Sequence, residues 1–343
     1  MTEPAAVLAI DGGNSKTDVA LIARDGSVLS SARGSGSNHQ GIGRDGMVTV
    51  LTGLVRAAAA QAGLPADGPV AAHTSACLAG ADLPDEEAEL GDLIASQGWS
   101  VSASVVNDTF AVLRAGLDDS GQPGVSQHGV SQHWGVGVVC GAGINCVGVA
   151  PDGEATRFLA LGEMSGDWGG GGDIGREALW WAIRAEDGRG PQTELRRAVA
   201  GHFGLSRVED VVIGLYRGKI SHSELHGLVP VLFAVAGRGD HVAADVVRRQ
   251  AREICVMVTV AARRLGLAGA IPVVLGGSLM AARDPLLSGA VRDLILAELP
   301  GADVRTVDVP PVAGAALLGL DHVGAPAAVA ARLRASAAAT WLA

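Results

Sequence analysis

The chain contains two copies of a strand–glycine turn–strand unit, and this duplication limits its possible folds more than any other feature. The first copy covers 7–22 and reads VLAIDGGNSKTDVALI, with two glycines at the turn between two apolar runs. The second copy covers 136–149 and carries the turn Gly141-Ala142-Gly143. An Asp-Gly pair follows each copy, at Asp25 and at Asp152. This repetition predicts two related lobes that face one cleft.

The glycine-rich turns have the chemistry of a phosphate site. Glycine has no Cβ, so such a turn can bring its backbone N–H groups close to a phosphate. Asp11 ends the first strand, where its carboxylate can hold a hydrated Mg²⁺. The alternative, for the first copy alone, is an ordinary tight hairpin with polar residues at its tip. The candidate phosphate residues are Gly12, Gly13, Asn14, Ser15, Lys16 and Thr17 in the first hairpin, and Gly141, Ala142 and Gly143 in the second.

Composition sets further bounds. With 343 residues, of which 48% are hydrophobic, the chain has enough material for two cores. Its apolar runs are all shorter than the ~20 residues needed to cross a bilayer. The first residues lack the pattern of a signal peptide, and the four cysteines show no paired spacing, so we expect a cytoplasmic protein. A net charge of −10 argues against nucleic acid and anionic membranes as partners.

Periodicity and turn signals predict an α/β protein. Three strands near 7–11, 17–22 and 28–33 are followed by alternating helices and strands. That order predicts a mixed sheet covered by helices. The predicted later elements of the first lobe are a helix at 45–62, a strand at 69–75, a helix at 85–97, a strand at 101–106 and a helix at 108–117. The second lobe repeats the opening strands and adds helices at 173–186 and 242–266.

These elements divide the chain into an N-terminal lobe, 1–117, and a C-terminal lobe, 134–320. The alanine-rich composition of 321–343 predicts a terminal helix. Between the lobes, 118–133 contains a tandem GVSQH repeat with two histidines. Two histidines are too few for a fixed metal site, so this segment is interpreted as a polar surface insertion.

Several segments, taken in order, resemble motifs of one known family. They are 11–17, 37–39, 107–109, 141–145, 166–167, 274–278 and 311–319. The chain is similar to the BadF/BadG/BcrA/BcrD-type ATPases of the actin, hexokinase and heat-shock ATPase superfamily, in the branch with glucosamine and N-acetylglucosamine kinases. The resemblance implies two ribonuclease-H-like lobes with a nucleotide cleft between them, and a terminal helix 321–343 that packs back on the first lobe. It also implies ATP and Mg²⁺ as cofactors, an adenosine motif at Gly276, Gly277 and Ser278, and a homodimer.

The resemblance also implies a catalytic base and a sugar site. Asp108 matches the catalytic aspartate of the family, although an aspartate that begins a helix is equally suited to a plain N-cap role. The implied sugar-binding residues are Asn38, His39, Asp108, Asn145, Glu163, Ser165, Gly166 and Asp167. Six glycines within 162–172 predict irregular structure there, with Asp173 as the N-cap of the next helix.

The predicted reaction is phosphorylation of the 6-hydroxyl of glucosamine by MgATP. Glu163 and Asp167 supply more negative charge than a neutral N-acetyl group needs, and nearby negative charge favours an ammonium group. N-acetylglucosamine kinase is the alternative. Two other classes stay open, an activator ATPase with an iron–sulfur cluster and a sugar sensor without turnover. The first would need exposed cysteines, and the second lacks a helix-turn-helix before Val7.

Overall fold

The first half of the molecule is built on a five-stranded mixed sheet. The computed structural model describes residues 4–65, 68–117 and 133–341. The strands are β1 (Ala5–Gly12), β2 (Lys16–Ile22), β3 (Val28–Ser35), β4 (Ala71–Leu78) and β5 (Ser100–Asn107). Their spatial order is β3-β2-β1-β4-β5, in which β1, β2 and β3 pair antiparallel while β4 and β5 run parallel to β1.

A second sheet repeats this topology. Its strands are β6 (Gly135–Cys140), β7 (Ile144–Val149), β8 (Ala155–Arg157), β9 (Pro272–Gly276) and β10 (Asp303–Thr306). The order β10-β9-β6-β7-β8 places an antiparallel meander beside two parallel strands, as in the first sheet. The predicted α/β fold with two related lobes is therefore confirmed.

The helices cover both sheets and connect them. They are α1 (His39–Gln61), α2 (Pro84–Ala95), α3 (Asp108–Gly116), α4 (Gly170–Asp187), α5 (Leu195–His202), α6 (Val208–Tyr216), α7 (Leu228–Gly237), α8 (His241–Arg264), α9 (Ser278–Ala281), α10 (Pro285–Glu298), α11 (Pro311–His322) and α12 (Ala327–Trp341). Helices α1 and α2 pack on one face of the first sheet, and α4, α5, α7, α8 and α10 enclose the core of the second. Helix α3 lies between the sheets, because it contacts β4 on one side and β6 and β9 on the other. Its first residue therefore sits where the two lobes meet.

Helix α1 begins earlier than the predicted residue 45. The Asn38 side chain caps its first turn by accepting a hydrogen bond from the Gln40 backbone N–H at 2.8 Å. Gly43 then leaves helical geometry with φ +74° and divides the helix. The glycines and the kink interrupt the apolar repeat, so the periodicity of the sequence does not indicate the first turn of α1.

The chain returns to the first sheet at α11, which packs on β1 and α3. Helix α12 follows and contacts α11 and β3, with Ala330 and Leu333 buried. Along the chain this return begins at Pro311, before the predicted boundary at 320/321. The division into lobes at 117 and 134 stays a prediction.

The predicted insertion 118–133 lies outside the described residues except for its last member. The imidazole of that residue, His133, lies 3.8 Å from the Asp321 carboxylate on α11. Among the helices described, none has the length and apolar character that crossing a bilayer requires.

Candidate active site between the lobes

A cleft of about 470 Å³ lies between the two sheets, and both glycine turns line it. Asp11, at the end of β1, and Asp108, at the start of α3, lie on the side of the first lobe. The predicted site residues that line this cleft are Asp11, Gly13, Asn14, Ser15, Lys16, Asn38, Asp108, Gly141, Ala142, Gly143, Asn145, Gly277 and Ser278. The structure thus brings together residues from segments far apart in the chain.

The first glycine turn is held in place by its own backbone and by the segment after β3. The Gly13 N–H donates to the Lys16 carbonyl at 3.0 Å, which closes the turn. The Ser37 N–H donates to the Gly13 carbonyl at 3.1 Å, and Asn38 Nδ2 donates to Asn14 Oδ1 at 2.5 Å. These three hydrogen bonds fix the shape of the turn.

Three predicted nucleotide residues do not line the cleft. Thr17 is fully buried, and its hydroxyl donates to Ser37 Oγ at 2.8 Å. Gly12 and Gly276 provide close packing, since a Cβ on Gly12 would lie 2.6 Å from Leu78 and one on Gly276 would lie 2.5 Å from Val112. In this structure these residues support the walls of the cleft.

The second glycine turn is held by the start of α4. The Gly171 N–H donates to the Gly141 carbonyl at 2.7 Å, and the Gly172 N–H donates to the Ala142 carbonyl at 2.9 Å. A Cβ on Gly170, whose φ is +80°, would lie 2.4 Å from Gly143. The prediction that 162–172 forms only irregular structure was wrong, because these glycines let the helix begin directly against the turn.

Two predicted helix caps also differ in the structure. Asn107, not Asp108, caps α3, since its side-chain oxygen accepts from the Thr109 N–H at 3.0 Å. Asp108 is the first residue of the helix and points to the cleft. Asp173 lies inside the first turn of α4, where its carboxylate accepts from the Gly169 N–H at 2.8 Å.

The two cleft aspartates are electrostatically linked. Burial, together with the Asp108 and Asp18 carboxylates, raises the pKa of Asp11 to about 8. Burial and the nearby Asp82 carboxylate raise the pKa of Asp108 to about 7. Lys16 lies 3.5 Å from Asp18 and offsets part of this negative charge. Arg33 also pairs with Asp18, so Asp11 and Asp108 are the carboxylates whose charge a divalent metal carried by phosphates would offset.

The protein residues fit Mg²⁺ only together with a phosphate. Within the described ranges, no group of three or more His, Cys, Asp or Glu side chains is arranged to hold a metal. Mg²⁺ commonly takes one or two carboxylates and completes its shell with water and substrate phosphate oxygens. Asp11 beside the first glycine turn provides that partial site.

Sequence reasoning missed several residues that line the same cleft, among them Gln40, Ala79, Gly80 and Asp82. Asp82 is buried and accepts hydrogen bonds from Asn107 Nδ2 at 2.9 Å and from Asn145 Nδ2 at 3.3 Å. Burial is the main cause that raises its pKa to about 6. Its place just after β4 was the available signal, because the carboxyl ends of parallel strands meet at one edge of a sheet.

The remaining predicted sugar residues lie beside the cleft. Glu163, Gly166 and Asp167 line a neighbouring cavity of about 420 Å³, together with Trp168 and Arg249. The Ser165 hydroxyl donates to Asp167 Oδ2 at 2.5 Å. The Asp167 carboxylate contributes to the raised pKa of Asp82, so it lies within electrostatic reach of the main cleft. The predicted acceptor residues are thus divided between two adjacent cavities.

His39 is the first residue of α1, and it is not among the residues that line either of these two cavities. Within the described part of the chain, its buried Nδ1 atom has no hydrogen-bond partner. A role in shaping the loop after β3 is consistent with this place.

Comparison with known proteins identifies the family. The model of the BadF/BadG/BcrA/BcrD ATPase family matches residues 8–319. The chain belongs to this family. Among curated relatives, an N-acetylmuramic acid/N-acetylglucosamine kinase of Clostridium acetobutylicum is 29% identical over 255 residues, which cover 74% of this chain and 78% of the relative. An N-acetyl-D-glucosamine kinase of Dictyostelium discoideum is 26% identical over 325 residues, covering 92% and 97%.

Solved structures give the same fold. A protein of Chromobacterium violaceum, proposed to be an N-acetylglucosamine kinase, matches with a TM-score of 0.68 and 25% identity over 92% of this chain and 99% of its own. A ROK family glucokinase from Streptomyces griseus, solved with glucose and AMPPNP, matches with a TM-score of 0.54 and 15% identity over 93% and 98%. The BadF/BadG/BcrA/BcrD member described here therefore has the actin-like ATPase fold of sugar kinases.

Proposed function

We propose that this protein is an ATP-dependent amino-sugar kinase. The observation that carries the proposal is the position of Asp108. Its carboxylate begins α3 in the same cleft as both glycine turns. A carboxylate opposite a phosphate cradle is the arrangement that transfer to a hydroxyl group requires. The names of the curated relatives agree with this reaction class.

In the proposed reaction, the backbone N–H groups of the two glycine turns and the Lys16 ammonium hold the phosphates of ATP. Asp108 accepts the proton of the sugar hydroxyl while the hydroxyl oxygen forms a bond to the γ-phosphorus. The bond from that phosphorus to the bridging oxygen breaks, and ADP leaves. When bound, Mg²⁺ neutralises phosphate charge, and Asp11 is the residue that would hold it through water.

The acceptor proposed from the sequence is glucosamine, at its 6-hydroxyl. Asp82 in the cleft, with Asp167 close by, supports this choice, since carboxylates favour an ammonium group. N-acetylglucosamine is the second candidate, because both curated relatives carry it in their names. Asn14, Asn38, Gln40 and Asn145 line the cleft and could serve the amide of that sugar.

The two other classes are less well supported. An iron–sulfur activator needs thiolates at a subunit contact, whereas Cys77, Cys140, Cys146 and Cys255 are all buried. A sugar sensor without turnover would not need a carboxylate such as Asp108 in the same cleft as the two glycine turns. A homodimer and a cytoplasmic location stay predictions.

ADP release tests the proposal. The protein is given MgATP alone, then with glucosamine, N-acetylglucosamine or glucose. We expect turnover that depends on an amino sugar, and Asp108→Asn should lower kcat by about 100-fold or more with a small change in the KM for sugar. Sugar-independent hydrolysis would favour the activator class, and sugar binding without turnover would favour the sensor.

A further inference from the structure

The carboxylate of Glu87 supports the start of α3 from the first lobe. Glu87 lies in the first turn of α2, and its Oε1 accepts a hydrogen bond from the Asn107 backbone N–H at 2.7 Å. The side chain is only 12% exposed. Because Asn107 caps α3 and precedes Asp108, Glu87 fixes the backbone that carries the proposed base.

Arg157 reaches the same point from the second lobe. Its Nη1 lies 2.8 Å from Glu87 Oε1, and its guanidinium carbon lies 4.8 Å from the ring centroid of Phe110 on α3. The Arg157 carbonyl accepts a hydrogen bond from Arg264 Nη1 at 3.0 Å. Arg264 belongs to α8, so Arg157 is anchored to the body of the second lobe while its side chain contacts the first.

A second contact crosses the cleft close by. Asn145 Nδ2, on β7, lies 3.3 Å from Asn107 Oδ1 and 3.3 Å from Asp82 Oδ1. Asp82 also accepts from Asn107 Nδ2 at 2.9 Å, which turns the Asn107 amide oxygen toward the Thr109 N–H. Asn107 is therefore contacted from both lobes: Glu87 binds its backbone N–H, and Asn145 contacts its side chain.

We propose that Arg157 and Glu87 are positioning residues that tie the two lobes together at Asn107 and so hold Asp108 in place for catalysis. The inference rests on the proposed kinase function and adds residues to it. None of the motifs that identify the family includes Arg157 or Glu87. A tie of this kind makes the position of the base depend on the closed arrangement of the lobes, which limits ATP hydrolysis by water.

The test uses Arg157→Gln, Glu87→Gln and the double variant, with Arg157→Lys as the conservative change. The control is Arg238→Gln, because Arg238 forms an exposed ion pair with Glu194 at 2.9 Å that lies within the second lobe and does not join the two lobes. A displaced base should lower kcat about tenfold or more while the KM for ATP stays within about twofold of wild type. The double variant should have the same kcat as each single variant, since every one of these substitutions removes the same Arg157–Glu87 contact. Arg157→Lys should recover part of the loss, and Arg238→Gln should leave kcat unchanged.

Hydrogen exchange at the amides of 109–112 provides a readout that does not depend on turnover. We expect faster exchange in Arg157→Gln than in wild type, because the start of α3 loses its link to the second lobe. If kcat and exchange are both unchanged in Arg157→Gln, the proposed positioning role is wrong. It is also wrong if kcat falls only in proportion to a lower melting temperature. A wild-type protein that transfers no phosphate to amino sugars would refute the proposed function, and the exchange experiment would still decide the tie.

Discussion

Asp108 lies among like charges, and this environment sets the pH range in which it can act as a base. Burial and the Asp82 carboxylate raise the pKa of Asp108 to about 7. A base acts only when ionised, so kcat/KM should fall as the pH drops below about 7. Asp82→Asn removes a like charge and should move this acidic limb to lower pH. Profiles of kcat/KM against pH for both proteins measure the shift.

The control for Asp82→Asn is Glu89→Gln, which removes an exposed carboxylate that pairs with Arg44 on the same lobe. Its profile should coincide with that of wild type. An acidic limb that stays in place in Asp82→Asn would contradict the assignment of Asp108 as the titrating base.

Asp11 illustrates the cost of a buried functional charge. Its pKa rises from 3.8 in the unfolded chain to about 8 in the fold, so its contribution to the free energy of unfolding falls as the pH rises between those values. Asp11→Asn should therefore raise the free energy of unfolding at pH 8, because the amide never carries the charge that burial opposes. It should also abolish most kinase activity. Urea unfolding without metal measures the first effect, and Asp210→Asn, an exposed change on α6, is the control.

Local sequence motifs identified some residues of the cleft but not those that only the fold brings there. Asp11 and Asp108 stand next to glycine turns or predicted strand ends, so local sequence identified them as candidates. Asp82 has no motif, and its place in the cleft depends on Asn107 and Asn145, which are distant in sequence. Thr17 was predicted as a phosphate ligand because it is polar, but its side chain points to the buried side of β2.

At the scale of elements, the docking of α4 on the second glycine turn is the most specific contact. Gly170→Ala would place a Cβ 2.4 Å from Gly143 at a φ of +80°. We expect weaker ATP affinity, seen as a KM for ATP raised by about tenfold, and a lower melting temperature. Gly201→Ala is the matched control, since that glycine lies in α5 with no atom within 4 Å of the added Cβ. An unchanged KM would show that the turn does not need α4.

The strands of the first sheet and six of the twelve described helices were predicted from the sequence, but two of those helices, α1 and α4, begin earlier than predicted. All five strands of the first sheet lie within a few residues of their predicted bounds. Apolar runs that end at glycine or polar residues are strong strand signals. Helices α1 and α4 begin among glycines, which propensity assigns to loops. A local side-chain cap from Asn38 begins α1, whereas α4 begins at a tertiary contact with the turn Gly141–Gly143.

At the scale of the whole molecule, the repeated hairpins predicted the repeated sheets. Only the family resemblance implied that the end of the chain returns to the first lobe, because the surface that α11 and α12 cover is formed by residues from the start of the chain. These helices cover β1 and β2 with the core that includes Val7, Ala20, Leu317 and Leu333. Since α11 also packs on α3, the end of the chain supports the helix that carries Asp108.

The last helix should therefore contribute to the stability of the entire first lobe. Leu333 is fully buried on α12, so Leu333→Ala should lower the free energy of unfolding by about 2–5 kcal/mol. Leu159→Ala is the control, because Leu159 is 55% exposed and its loss should cost less than about 0.5 kcal/mol. Urea unfolding of both variants measures the difference, and amide exchange in β1 and β2 should rise only in Leu333→Ala. Equal stabilities would mean that α12 is not part of the first lobe in solution, and exchange confined to α12 would mean that it unfolds alone.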